Sequence, residues 1–430
     1  MNNFTELRLG VSKVDITPQA PIPLAGFGHR VGNFKGIVRP LFARCFLFEE
    51  LGNQYLFVTA DLLWWGQSFA NDLHKSIEET WGIPSDHLIL HATHNHSGPQ
   101  TSDQFVSALG KYDSRYLKRL KMLIYDGICE ARKNLESVTV EVGKGLWSGS
   151  INRRKVINGI CEMAPNVEGI NDQTMTVIKY STQDKKLKGI LVHATCHLTT
   201  TGDNFVSSEF PGVTMEKLEG QYSDQNVVAG FLQGFCGNIR PALIQNGVFY
   251  RGDDSHVVKN GLILLNEVNR VLEIGMKQIS TNPIKIIRKT VNLPFSVVPG
   301  PEEIREKGLN GSVYREWAQL LLEGKKEIPS YAKLNISYIQ FAENLCFLAA
   351  NAEMVVEYGI FAKEILGDHL LPIGYTNGMI GYIPTEKQLE EGGYEPVEST
   401  YYFGLPSQFS PEIEGIIKEV IAQIREESFM

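Results

Sequence analysis

The sequence predicts an α/β fold in which mixed β-sheets are layered with α-helices. Three observations carry that prediction. Short β-branched runs alternate with longer stretches of helical periodicity, many of the short runs are apolar without interruption, and no Pro-, Gly- or Ser-rich linker divides the chain. The strand-like runs cover 54–60, 87–92, 138–142, 174–180, 189–194, 227–232, 284–293 and 345–349. A strand with one wet face alternates apolar and polar residues, so a continuous apolar run belongs to a strand covered on both faces. Helices are expected over 68–81, 114–135, 257–276, 301–322, 353–366 and 411–426, where apolar residues recur at spacings of three and four. The charged stretch at about 297–330 reads as a helical cap over a single domain spanning 1–430.

Composition narrows the partners. A chain of 430 residues can bury a large core. Its net charge is −8, and its densest basic run, Arg153-Arg154-Lys155, is too short to follow a phosphate backbone, which argues against nucleic acid. No run of about 18 apolar residues occurs, so no transmembrane segment is expected. The first residues lack a basic region followed by an apolar stretch, and the six cysteines are scattered without close pairs, mostly in apolar runs. Reduced thiols in a cytoplasmic protein are the expectation.

Four elements carry candidate chemistry. The apolar run 88–90 leads into His91-Ala92-Thr93-His94-Asn95-His96 and stops at Ser97-Gly98-Pro99. Residues two apart on an extended chain face one side, so His94 and His96 can converge on a metal; a hydrogen-bonded pair of loop histidines is the alternative. The acid of the HxHxDH form found in other hydrolases is absent. A second apolar run ends in His193 and His197, of which His193 better suits a core histidine bonded to backbone. A third, 345–349, turns into a helix that starts at the acid Glu353, where capping is the competing role. The fourth, Asn377 to Thr385, is a glycine-punctuated turn carrying Tyr382.

In this order the elements resemble the neutral/alkaline ceramidase family along nearly the whole chain. Gly10 to Pro18 is similar to that family's opening, and Gly36 to Arg44 with Phe57 to Asp61 to its first strands. Thr93-His94-Asn95-His96-Ser97-Gly98-Pro99 resembles its THTHSGP signature, and Asn152-Arg153 an NR pair that supplies an active-site arginine. His197-Leu198-Thr199 stands where the family has HPT, and Ser208 to Gly212 where it has S-x-D-x-x-G, with Glu209 replacing the Asp. Gln233 to Pro241 resembles a QxxxGDxSP loop in which Asn238 replaces the Asp and Arg240 the Ser. Ala352-Glu353 is similar to PGE, and Tyr382 and Tyr394 lie in segments similar to the family's paired tyrosine motifs.

The resemblance implies an α/β/β/α-like sandwich forming one large catalytic domain. It also implies one zinc ion per chain, held by His94, His197, Glu353 and Tyr382, with His96 beside the attacking water and Arg153 and Tyr394 on the substrate carbonyl. Such a site suits metal-activated water attacking an N-acyl amide. The departures at Asn238 and Arg240 make those two residues candidates for substrate binding, with a salt bridge to a nearby acid as the alternative for Arg240. Full-length members also carry a C-terminal β-sandwich and enter the secretory route, so a small or polar intracellular N-acyl substrate is expected here rather than ceramide. An esterase or lactonase on the same site, and a silent ligand-binding relative, are the rival readings.

Overall fold

Alternation along single strands builds the layers. In the strand Leu187–Ala194, Ile190 and Val192 join one core while Leu191 joins another; in Thr174–Thr182, Met175 and Val177 face one way and Ile178 and Tyr180 the other. Both faces are therefore apolar, which is why these runs read as continuous in the sequence. The computed structural model describes residues 6–323 and 327–428.

These strands belong to a nine-stranded sheet ordered Val228–Gln233, Leu187–Ala194, Thr174–Thr182, Glu136–Leu146, Leu7–Asp15, Phe42–Glu50, Asn53–Ala60, Leu88–Ala92, with Lys277–Ile279 also paired to Glu136–Leu146. The outermost pair at each end is parallel and the inner pairs are antiparallel, so the sheet is mixed. At its middle joint only Arg8↔Ser137 and Leu9↔Glu136 are in register. The sheet folds there and its halves face each other. A Cβ on Gly189 would meet Phe46 at 3.0 Å, and one on Gly230 would meet Thr59 at 2.9 Å. Leu9, Val11, Phe46, Phe57, Ile178 and Leu191 fill the space between the halves. Outside one half lie the helices Gln67–Trp81 and Ser114–Lys133, through Leu73, Ile77, Leu120 and Ile124. Outside the other lie Glu209–Gln221 and Asp254–Glu273, through Leu218, Leu264 and Val268. Each such side chain contributes about 1.5–3 kcal/mol by leaving water. The layering is α/β/β/α, as expected.

A second sheet, Lys285–Pro294, Tyr331–Ala342, Leu345–Ala350 and Leu370–Ile373, sets Ile339, Phe341 and Phe347 against the same central core. Phe341 meets Phe48 edge-on at 4.5 Å. Helices Val356–Leu366 and Glu412–Ser428 cover its other face.

Two elements differ from expectation in ways that matter. The helix expected over 301–322 is two helices, Pro301–Gly308 and Ser312–Leu322, broken at Gly311, whose φ of 145° a side chain would oppose. Trp317 and Leu321 pack with Val106 and Ile304, and Trp317 donates to the Leu405 carbonyl at 2.7 Å. Residues 324–326 of the expected cap lie outside the described residues. The helix expected from 353 starts at Val356 instead. Glu353 sits before it in a two-residue strand, Glu353–Met354, paired in parallel with Tyr382–Ile383.

Candidate metal centre

The turn after Leu88–Ala92 is what brings the histidines together. Thr93 N–H donates to Ala60 O at 2.9 Å and Asn95 N–H to Leu62 O at 2.8 Å, while the Asn95 amide donates to Ser207 O at 2.8 Å. Between these anchors His94 adopts a left-handed φ of 62°. The expected reason for convergence, an extended chain, is therefore corrected: a left-handed turn at His94 does it. A non-glycine residue held there costs about 1–3 kcal/mol, and such strain concentrates at functional sites. His94 Nε2 and His96 Nε2 end 3.1 Å apart.

His197 follows the strand Leu187–Ala194 and is fixed through its backbone N–H to Ile239 O at 3.1 Å. Glu353 and Tyr382 are register partners across their short parallel pair, so one pairing delivers two side chains. Glu353 Oε1 lies 2.8 Å from His197 Nε2 and 3.1 Å from His94 Nε2, and the Tyr382 hydroxyl lies 3.5 Å from His197 Nε2. All are buried; His96, 8% exposed, has the most open face of the three histidines.

The backbone sets the imidazole tautomers. Nδ1 of His94 faces Leu63 O at 3.1 Å, Nδ1 of His96 faces Gly26 O at 3.2 Å, and Nδ1 of His197 faces Cys236 O at 2.7 Å and Ile239 O at 2.8 Å. Each Nδ1 therefore carries the proton, and each Nε2 turns a lone pair inward. The inward nitrogens of His94, His96 and His197 lie within 4.8 Å of one another. Glu353 Oε1 is sealed from solvent, yet accepts no hydrogen bond of good geometry. Lone pairs facing lone pairs around an orphaned carboxylate oxygen are what a cation would relieve. Burial lowers the pKa of His96 well below its ordinary value and that of His197 to about 4. The donor set fits a metal ion.

Arg153 borders the cluster. It donates from Nε to Glu395 Oε1 at 2.8 Å and from a terminal nitrogen to the Tyr382 hydroxyl at 3.0 Å, and another terminal nitrogen lies 3.3 Å from His197 Nε2. Burial opposes its charge, but Tyr382, Glu395 and Glu353 outweigh that and raise its pKa well above the ordinary value. The rings of Tyr382 and Tyr394 meet edge-on at 5.6 Å, and Arg153 lies over both. Burial raises the pKa of both phenols.

The expectation for Asn238 needs correction, and of the two readings of Arg240 the salt bridge drops out. Asn238 is fully buried and its side chain is committed to scaffold: the amide donates to Glu357 at 2.9 and 3.0 Å, and Oδ1 accepts from Val356 N–H at 2.9 Å, capping a helix start. It offers no free group to a substrate. Arg240 makes no salt bridge among the described residues; it stacks on Phe249 at 4.2 Å. Three residues to which the sequence assigns no role support the site. Glu395 binds Arg153 and also Arg154 at 2.6 Å, Tyr375 stacks on His94 at 3.9 Å, and Gly26 carries the carbonyl that orients His96. The doubled arginine beside the NR pair was the available signal for a buried carboxylate such as Glu395.

The family described as neutral/alkaline non-lysosomal ceramidase, N-terminal, matches residues 7–256, more than half of the chain. The protein belongs to that family. Its similarity to neutral ceramidase A of Dictyostelium discoideum is 26% identity over 191 residues, 42% of this chain and 27% of that protein. The aligned stretch thus spans about a quarter of that relative's length. Among solved structures, neutral ceramidase from Pseudomonas aeruginosa superposes with a TM-score of 0.77 at 20% identity, covering 98% of this chain and 75% of that one. A ceramidase complexed with C2 gives 0.76 at 18% identity, with the same coverage. At these identities the superpositions establish the fold of this ceramidase-family chain. No helix among its described residues is long and apolar enough to cross a membrane.

Proposed function

We propose that this ceramidase-family protein is a zinc-dependent hydrolase that cleaves the N-acyl amide bond of a small or polar substrate. The observation that carries the reading is the inward set of Nε2 lone pairs around the orphaned Glu353 oxygen. His94, His197, Glu353 and Tyr382 would hold the ion. When bound, such an ion lowers the pKa of a coordinated water toward about 7 and polarises a carbonyl. The remaining steps fall to side chains of this chain. His96, the most open of the three imidazoles, is suited to take a proton at Nε2 and return it to the leaving amine. Arg153, kept charged and aimed by Glu395, is suited to bind the carbonyl oxygen as negative charge builds on it, with Tyr394 across from it. The reading places the protein in the cytoplasm, on the strength of six unpaired cysteines, four of them buried.

The test is metal content by mass spectrometry on protein purified without chelator, beside a His94→Ala, Glu353→Ala double variant, followed by a screen of N-acyl amides. About one zinc per chain, lost in the variant together with amide turnover, is expected. Wild-type protein that holds no metal and takes up none would end the hydrolase reading.

A further inference from the structure

Arg240 immediately follows Ile239, whose carbonyl helps to orient His197, and is half-buried. Its Nε is sealed from solvent with no hydrogen-bond partner. Arg251 sits nearby, exposed at the rim, with its side chain against the backbone of Gly202, where a Cβ would fall 2.5 Å from the arginine's Cδ. It stacks on Phe27 at 4.2 Å, and the same ring lies 4.9 Å from His96. Neither Arg240 nor Arg251 forms an ion pair among the described residues. The acids next to Arg251 in sequence are committed elsewhere: Asp253 caps a helix and Asp254 pairs with Arg39. The nearby Arg30 differs, because its N–H groups are directed at the carbonyls of Ala25, His96 and Asp203.

Stacking on an aromatic face holds a guanidinium by its plane and leaves the in-plane N–H donors unspent. Two such cations beside a third, Arg153, repel one another, and Arg153 alone has a buried carboxylate. The geometry is that of a site waiting for an anion, set between the histidine cluster and solvent. We infer that Arg240 and Arg251 form a subsite for an anionic group on the substrate, so that the amide cleaved is an acidic one, such as an N-acyl amino acid or N-acyl aminosulfonate. The inference rests on the amide-hydrolase reading above and gives it a substrate class. A forked guanidinium suits a carboxylate or sulfonate, and a neutral headgroup would leave both charges uncompensated.

The experiment compares three amides of one acyl chain: N-acylglycine, N-acyltaurine and the neutral N-acylethanolamine. Both turnover and calorimetric binding are measured on wild type, Arg240→Gln, Arg251→Gln and Arg240→Lys. Wild type is expected to favour an anionic amide over the neutral one by about 100-fold or more in kcat/KM. Each Gln variant should cut that ratio by roughly 10- to 100-fold, the range for a hydrogen bond to a charged group, and Lys should restore part of it. A wild-type ratio near one, or a ratio unchanged in both Gln variants, overturns the inference. If no amide is turned over, the hydrolase reading fails separately. Calorimetry then still decides the subsite: anion-selective binding lost in the Gln variants upholds it, and equal or absent binding of acidic and neutral amides refutes it.

Discussion

Removing the carboxylate of Glu395 tests whether Arg153 is aimed by its neighbours or merely packed. Glu395 is 3% exposed and receives Arg153 Nε at 2.8 Å and Arg154 at 2.6 Å. Deleting one partner of a buried ion pair leaves a charge without compensation, at a cost of about 3–5 kcal/mol. Arg154 softens the loss, because it keeps Glu391 at 3.2 Å and the Gly392 carbonyl at 2.8 Å. Without Glu395, Arg153 keeps no carboxylate within ion-pair distance among the described residues, and its neutral acceptors are the Tyr382 hydroxyl and His197 Nε2. The lower end of the range is therefore expected: about 3 kcal/mol for Glu395→Ala, and about half of that for Glu395→Gln, which keeps an acceptor. Urea unfolding measures the stability term, and kcat/KM on an amide substrate measures the aim of Arg153. An Arg153→Met, Glu395→Leu pair should recover most of the stability without the activity, since apolar replacement removes the buried charge along with its partner. If Glu395→Ala unfolds within about 0.5 kcal/mol of wild type, the ion pair is not buried in solution and the argument for a pre-aimed arginine fails.

Two further outcomes follow from single contacts. A Cβ on Gly26, whose φ is +94°, would fall 2.4 Å from His96 Nδ1, so Gly26→Ala should displace that ring; a loss of tenfold or more in turnover with zinc content unchanged would fit a proton-handling His96, whereas loss of zinc would make it a ligand. Asp172 is pressed upward by burial but more strongly downward by its ion pair with Lys363, so its folded pKa lies below the unfolded value of about 3.9. Its stabilisation is then full above about pH 4 and disappears as pH falls through the depressed folded value. Asp172→Asn should be less stable than wild type at pH 7, with the gap closing in acid; a gap independent of pH in urea unfolding would refute the assignment.

Much of this architecture is legible in the chain because burial on two faces leaves unbroken apolar runs, as in Gly189–Val192 and Leu345–Ala350. The strand Leu7–Asp15 escaped periodicity because Arg8 and Lys13 interrupt it, and both are held in ion pairs with Glu49 and Glu219 that sequence alone cannot display. The histidines stood out for the company they keep at strand ends. Their geometry did not, since the left-handed turn at His94 and the carbonyls facing each Nδ1 are properties of the folded backbone. Glu353 looked like the first residue of a helix because an apolar run precedes it and a helix follows. The pairing that places it opposite Tyr382 joins segments 29 residues apart, and no local pattern encodes that.

The loop from Gln233 to Pro241 shows why two family positions can change here while the histidine cluster keeps its shape. What the loop contributes to the cluster comes mainly from its main chain: the carbonyls of Cys236 and Ile239 orient His197, and the carbonyl of Asn238 accepts the Arg153 N–H at 2.9 Å. Gly237 lets this backbone approach that of Glu353, where a Cβ would sit 3.0 Å from the Glu353 carbonyl. Backbone atoms are the same for every residue type, so the side chains they carry are free to serve other ends, provided Gly237 stays small. Asn238 uses that freedom inward, on Glu357 and the helix beginning at Val356. Arg240 uses it outward, keeping a cation beside the cluster that no acid of the described chain neutralises. A position that can vary without disturbing the chemistry is where substrate preference can be altered, and in this chain that position carries a positive charge.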